Sequence, residues 1–447
     1  MHDPRADRDA RRQVAGACRD RHALGLAVPL LGALLLGALL LAGSSRPIAP
    51  RAALEIPSVR VVAAAAGAGT TKPSRAAGPT EAAQAAGAAG AAPAPAAVGV
   101  IDQSAARERS LRVAARTLAM TEAPDAAINV WDWEAGVAMA GLMQAYRQTE
   151  DPALLDAVAA WFDARLVTDP VLSHPNQATP AWAALMLYEL RPDPRYLAVA
   201  RRSVDYLMNR APRVHGTLAH YDDQLWDDTL IVSVPLLARY GAQQGCASCL
   251  SLAVDELLAH ARRLQDPASG RWFHGWDLSD FRAGLQPHLS AAQWARGNGW
   301  AALATTEALR WLPEDGYWQA QLRARLERQL TGLAVLQARS GLWHTVVTRN
   351  DFYEESSGSA AIAAAMLRAS EAGWVDGRLR SVGLTAARAV DALVAEDGTL
   401  TRVSTGTGVA PSIEVYGQVP FDAIKPYGQG LYLIMAEAAA EAAAAAP

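Results

Sequence analysis

Four aspartates, Asp222, Asp223, Asp227 and Asp228, fall in one short stretch with Trp226 among them. Thr229 then opens an apolar run with helical spacing that continues to about Tyr240, where Gly241 is expected to stop it. A carboxyl group at the mouth of a buried helix, beside an indole, can serve as a proton donor. It can equally be a plain N-cap, since Asp is a preferred capping residue. Two pairs of effects compete for its pKa. The helix dipole and the free backbone N–H groups lower it, while desolvation against Trp226 and repulsion from the neighbouring aspartates raise it. A general acid at neutral pH needs the second pair to win.

Four other segments carry more chemistry than a scaffold requires. Trp131 and Trp133 flank Asp132, with Glu134 next, an acidic pair suited to a helix N-terminus and two indoles suited to a sugar face. His274 lies between aromatics in Trp272-Phe273-His274-Gly275-Trp276-Asp277, either a hydrogen-bond donor to a ligand or a histidine bonded to backbone. In Trp294-Ala295-Arg296-Gly297-Asn298-Gly299-Trp300 the planar fork of Arg296 suits a carboxylate. The glycines there allow positive φ or close backbone approach, and packing alone explains the segment poorly. Gly341-Leu342-Trp343-His344 is followed by Glu355 and a run of serines, which can also cap the next helix.

Composition narrows the partner. The chain has 13 Trp against 5 Phe, and indoles stack on sugar rings, so carbohydrate is the expected ligand. A formal charge of −4 gives no reason to expect nucleic acid. No nucleophile elbow, phosphate loop or spaced ligand set is present, so no cofactor and no metal are expected. Cys246 and Cys249 form one C-x-x-C without a second ligand pair, leaving a local disulfide or two thiols open.

These segments need elements to position them. Apolar spacing predicts twelve helices, starting near Ser104, Trp133, Pro152, Thr179, Asp193, Asp228, Ser248, Trp294, Tyr317, Ser357, Asp376 and Tyr427. No linker interrupts them, so residues 104–447 read as one all-α domain. The loops rich in Trp, His, Asp and Gly fall between alternate helices. A ring of six helix pairs would gather them at one end, whereas an open solenoid or two bundles would not. Strand signals at 271–276, 342–348 and 399–404 read as small hairpins within loops. Upstream, residues 1–22 are weakly basic and residues 23–43 carry no charge over a bilayer-spanning length, a signal anchor or signal peptide with 1–22 on the cytoplasmic side. Residues 44–103, rich in Ala, Gly and Pro, read as a disordered linker. The domain is therefore expected outside the cytoplasm, periplasmic or at the cell surface, tethered to the membrane.

Taken in order, Trp131 to Val137, Trp226-Asp227-Asp228-Thr229-Leu230, His274-Gly275-Trp276-Asp277, Trp294 to Trp300, Gly341 to His344, Glu355 to Ser359 and Tyr427-Gly428-Gln429-Gly430 resemble the motifs of the unsaturated rhamnogalacturonyl hydrolases, glycoside hydrolase family 105. The unsaturated glucuronyl hydrolases are a more distant sister family. The resemblance implies an (α/α)6 barrel with small hairpins in its loops. It also implies a substrate left by a polysaccharide lyase, with a 4,5-unsaturated uronic acid at its non-reducing end. An aspartate would protonate C4, water would add at C5, and the hemiketal would open to release the next sugar. By position that aspartate is Asp228, while Asp227 stands where the family usually has a non-acidic residue and is assigned to the loop or cap. Trp131, Trp133, Asn176, Trp226, His274, Trp294, Arg296, Trp300, Trp343 and His344 would line the sugar site. Asn176 falls where some members supply a second aspartate. Another (α/α)6 carbohydrate enzyme, a lyase or an epimerase, and a tethered sugar-binding protein without catalysis stay open at this level.

Overall fold

The computed structural model describes residues 102–445 except 283, 285–287 and 315. The segments 1–22 and 23–43, and nearly all of 44–103, lie outside the described residues. Twelve long helices form where the spacing predicts them. They are α1 Gln103–Ala119, α2 Trp133–Thr149, α3 Pro152–Arg165, α4 Pro180–Leu190, α5 Pro194–Asn209 and α6 Asp228–Gln244, followed by α7 Ala247–Leu264, α8 Ala295–Trp311, α9 Tyr317–Ala334, α10 Ser356–Glu371, α11 Arg378–Asp391 and α12 Pro426–Ala444. Their starts are chemically marked. Asp102, Asp151, Asp193 and Glu355 accept first-turn N–H groups, and proline opens α3, α4, α5 and α12.

Burial sorts the helices into two rings. The even-numbered ones are buried nearly all round, as in α8 from Ala295 to Leu309 and α10 from Ser356 to Ala369. The odd-numbered ones bury one stripe, such as Tyr196, Val199, Ala200, Ser203, Val204 and Leu207 on α5. A helix apolar on every face belongs inside and one with a single stripe belongs outside. The even helices accordingly pack in sequence as an inner ring, and α12 returns to α2. Glycines make that closing contact: a Cβ on Gly141 would stand 2.4 Å from the Gly430 carbonyl oxygen, and one on Gly430 2.4 Å from that of Val137. The ring is closed, an all-α (α/α)6 barrel rather than an open solenoid or two bundles.

Three local expectations change. The helix after Asp228 does not stop at Gly241 but runs to Gln244 and ends on Gly245, whose φ of 65° suits a left-handed cap. Gly241 is interior because α7 passes close by, with Leu250 Cγ 2.7 Å from where its Cβ would be. Strands β1 Arg213–Val214 and β2 Thr217–Leu218 form an unexpected hairpin turned by His215 and Gly216, both at positive φ. The 271–276 signal is not a local hairpin: β3 Gln224–Trp226 pairs with β4 Gly275–Asp277, setting Trp226 opposite Gly275. β5 Trp343–His344 pairs with β6 Glu354–Glu355 as expected. The segment 399–404 makes only one bridge, Val394 to Leu400, and Arg402 at φ 61° breaks any longer pairing.

Every inner helix begins at the end where the connections are long, and the connections at the other end are short. The motif-bearing loops therefore converge, and six positive helix ends point into the same region.

Candidate active site

A cavity of about 210 Å³ opens at this end of the ring. Trp133, Asn176, Trp226, Asp228 and Trp300 line it, five of the residues expected from the sequence. Trp133 stands at the first position of α2, stacked on Tyr427 at 4.6 Å and edge-on to Trp300 at 6.4 Å. Asn176 sits in the short helical turn Pro175–Ala178, with His174 Nδ1 accepting its backbone N–H. Trp131 does not reach the cavity. Its indole N–H donates to the Gln177 carbonyl at 2.9 Å and so braces the Asn176 turn.

Asp228 is the carboxylate that meets the cavity, with 21% of its side chain exposed. It begins α6, and Oδ2 is 3.0 Å from His274 Nε2. The β3–β4 pairing brings these two residues together across 46 positions of sequence. His274 is not a free donor to a ligand, because Nδ1 is taken by the Tyr416 hydroxyl at 2.5 Å. That hydroxyl also meets Ser290 Oγ at 3.0 Å and accepts the Ala410 N–H, so a buried chain of hydrogen bonds backs Asp228. Burial alone would raise the Asp228 carboxyl. The His274 hydrogen bond, with the charges of His274 and Arg296, outweighs it, and the group lies below its usual range.

Asp227 differs from the expectation of a loop or capping residue. It makes no side-chain cap, is fully buried, and neither carboxyl oxygen has a hydrogen-bond partner. Burial and the charge of Asp228 hold its carboxyl well above the ordinary range. The competing effects named for one aspartate are thus divided between two. An oxygen from each, with a ring nitrogen of His274, lie within 4.8 Å of one another. His274 and Asp228 already bond each other, so the group reads as proton-bearing. Asp222 and Asp223 are exposed in the turn before β3 and take no part.

Arg296 was expected to grip a ligand and does not line the cavity. Its guanidinium is fully buried between the rings of Trp294 and Tyr427, at 4.5 and 4.8 Å. It donates to Ser357 Oγ, to the Ser404 carbonyl and hydroxyl, to the Thr405 carbonyl at 3.0 Å and to Thr407 Oγ1, and pairs with Glu355 at 3.7 Å. A fork that suits a ligand carboxylate suits Glu355 and a loop equally well. What reaches the cavity is the loop it holds, Gly406-Thr407-Gly408. Trp294 is buried against His274 at 4.3 Å. Trp343 is core, donating to the Leu333 carbonyl, and His344 bonds the Phe352 carbonyl in the β5–β6 hairpin, so neither lines the cavity.

His220, Tyr221, Ile231, Val232 and the 406–408 loop complete the lining and were not anticipated. His220 stacks on Trp226 at 4.7 Å and shares a hydrogen bond with Thr229 Oγ1, and burial pushes its pKa down to about 3, so it is neutral. Its position just before the aspartate stretch was an available signal, as was the Gly-Thr-Gly in a loop without periodicity. Elsewhere, Cys246 and Cys249 form a disulfide at the start of α7.

Comparison with known proteins agrees with this geometry. Residues 111–442 match the family model described as Glycosyl Hydrolase Family 88. The chain is 34% identical over 315 residues to the unsaturated rhamnogalacturonyl hydrolase YesR of Bacillus subtilis, covering 68% of this chain and 88% of that protein. It is similar to the crystal structure of a possible member of the GH105 family from Klebsiella pneumoniae, with a TM-score of 0.72 at 27% identity over 76% of this chain and 94% of the other. A possible GH105 member from Salmonella enterica gives a TM-score of 0.71 at 27% identity, covering 76% and 95%.

Proposed function

The chain belongs to glycosyl hydrolase family 88, and on that premise we propose that it removes a 4,5-unsaturated uronyl residue from oligosaccharides left by a polysaccharide lyase, those of pectic rhamnogalacturonan first. Family membership makes it a glycoside hydrolase and sets aside the lyase, epimerase and binding-protein alternatives. In this reading Asp228 delivers a proton to C4 of the vinyl ether. Water adds at C5, returning a proton to Asp228, and the hemiketal opens to free the next sugar. The observation that carries the reading is Asp228 itself, a carboxylate at the mouth of a cavity walled by Trp133, Trp226 and Trp300. Indole faces suit a sugar ring. The uronate's negative charge is met by the converging positive ends of the inner helices and by Arg296 one layer behind the 406–408 loop. Arg296 acts here as a positioning residue for that loop.

The test is a panel of lyase products from rhamnogalacturonan, glucuronan and glycosaminoglycans, followed by the ultraviolet absorbance of the unsaturated uronyl group. Fastest loss with the rhamnogalacturonan product is expected. No loss with any of them contradicts the proposal.

We further infer that the domain works outside the cytoplasm, tethered by residues 23–43. The uncharged run, the arginines before it and the Cys246–Cys249 disulfide, a bond suited to an oxidising compartment, support this. Among the described residues no helix is long and apolar enough to cross a membrane. Recovery of the full chain in the cytosolic fraction would contradict the inference.

A further inference from the structure

Asp227 has no structural task that its surroundings reveal. It stands at the start of α6 without capping it, its carboxyl is sealed from solvent, and the weak N–H contacts of its own turn do not offset its burial. The fold nevertheless makes room for it. A Cβ on Gly297 would lie 2.2 Å from Asp227 Oδ2, so the glycine of α8 is the cradle for this carboxyl group. A buried carboxylate with a like charge beside it and no cation takes up a proton rather than stay charged. The groups that face the pair are His274 from the β4 side and Tyr416 from the 414–417 turn, with Arg296 of the α8 turn that carries Gly297 and His220 of the segment before β3 acting on Asp228. Arg296 is committed to Glu355 and the 404–407 loop, and His274 to Asp228 and Tyr416.

We propose that Asp227 and Asp228 hold one proton between them, Asp227 being a positioning residue that keeps a transferable proton beside Asp228 at neutral pH. This rests on the vinyl-ether reading of the site. Two adjacent carboxyls, one sealed and one at the cavity wall, cannot both ionise cheaply, and their proton belongs to the pair. Burial and the charge of its neighbour push Asp227 up, while the His274 bond draws Asp228 down, which is the division such a pair requires. Asp228 passes the proton to C4, and the water adding at C5 returns one to Asp228. The pair ends with the single proton it began with, and no electrons are exchanged with any other group.

The experiment compares the full chain with Asp227→Asn, whose amide donates to Asp228 and favours its ionised form. The alkaline limb of the kcat/KM profile should move down by on the order of one pH unit, with a rate loss of about tenfold at neutral pH and near-wild-type rates on the acid side. A merely structural Asp227 would lower the rate evenly and leave the limb in place, which overturns the proposal. Infrared difference spectra give a second readout that needs no turnover. In the wild-type-minus-Asp227→Asn difference at neutral pH, where the stretch of Glu256 cancels, a protonated-carboxyl carbonyl band should remain, and its absence, meaning a fully ionised pair, overturns the proposal. This arm stands even if no lyase product is consumed, an outcome that would sink the substrate reading alone. Asp227→Ser, smaller and neutral, gives the same two readings if the Asn variant does not fold.

Discussion

Two groups of charges are buried in the inner ring, and they are built on opposite rules. About three turns along from the active-site end, Arg368 of α10 donates to Glu307 of α8 at 2.7 Å and to Glu437 of α12 at 2.8 Å. Arg310 adds a contact to Glu307 at 3.7 Å. Burial would raise the Glu307 carboxyl, but the arginines outweigh it and hold the group ionised. Each charge there has a partner, and the cluster ties three adjacent inner helices together. At the active-site end Arg296 and Glu355 are matched in the same way, whereas Asp227 is not. The difference separates charges placed for architecture from charges placed for proton transfer. In the clamp every charge has an opposite charge against it, whereas Asp227 has only the like charge of Asp228.

The comparison breaks most visibly at Asp228. Asp228→Asn keeps the size of the side chain and removes the transferable proton. Activity should fall by roughly 10²–10⁴-fold while the melting temperature stays near wild type, and kinetics with thermal melts on one preparation check both halves. Arg368→Met is the converse. It strands Glu437 without its cation and leaves Glu307 only the longer Arg310 contact, so about 3–5 kcal/mol of stability should be lost in denaturant titrations, while kcat/KM per folded molecule is retained. A large rate loss with stability intact would place the clamp in the chemistry after all.

Arg296→Lys tests a matched pair that also supports the cavity. One ammonium cannot serve Glu355, Ser404, Thr405 and Thr407 together. A fall in kcat/KM of about ten- to a hundredfold, mostly in KM, is expected as the 406–408 loop loosens. Unchanged kinetics would detach that loop from substrate binding. The mildest effect concerns Glu256 of α7, which accepts the Leu218 N–H and pairs with Arg213 away from the cavity. Burial pushes its pKa from the ordinary 4.5 to about 7. The raised folded value means its contribution is full below about 4.5 and is lost as pH rises through about 7. Glu256→Gln should flatten that slope in melts recorded across this window.

Much of this architecture was legible in the sequence because helical periodicity is a local property. All twelve helix starts, the alternation of long and short loops and the aspartate stretch could be read from it. The β3–β4 pairing could not, since two three-residue strands far apart carry no mutual signal, and with it went the His274–Asp228 contact. Arg296 stands out in the sequence, but its partner cannot be read there, because its fork chemistry fits Glu355 as well as a ligand. Asp227 and Asp228 differ by one position, about 100° of helix, and the Gly297 cradle that admits Asp227 lies on another element. The 406–408 loop has no periodicity from which to argue.

In the proposed function Asp228 serves the hydration of a double bond rather than direct cleavage of a glycosidic bond. The most direct measurement follows an unsaturated rhamnogalacturonyl disaccharide with the full chain, recording the uronyl absorbance and the freed sugar in the same sample. The band should disappear in step with sugar release, and Asp228→Asn should suppress both together. Sugar released while the absorbance persists would contradict it.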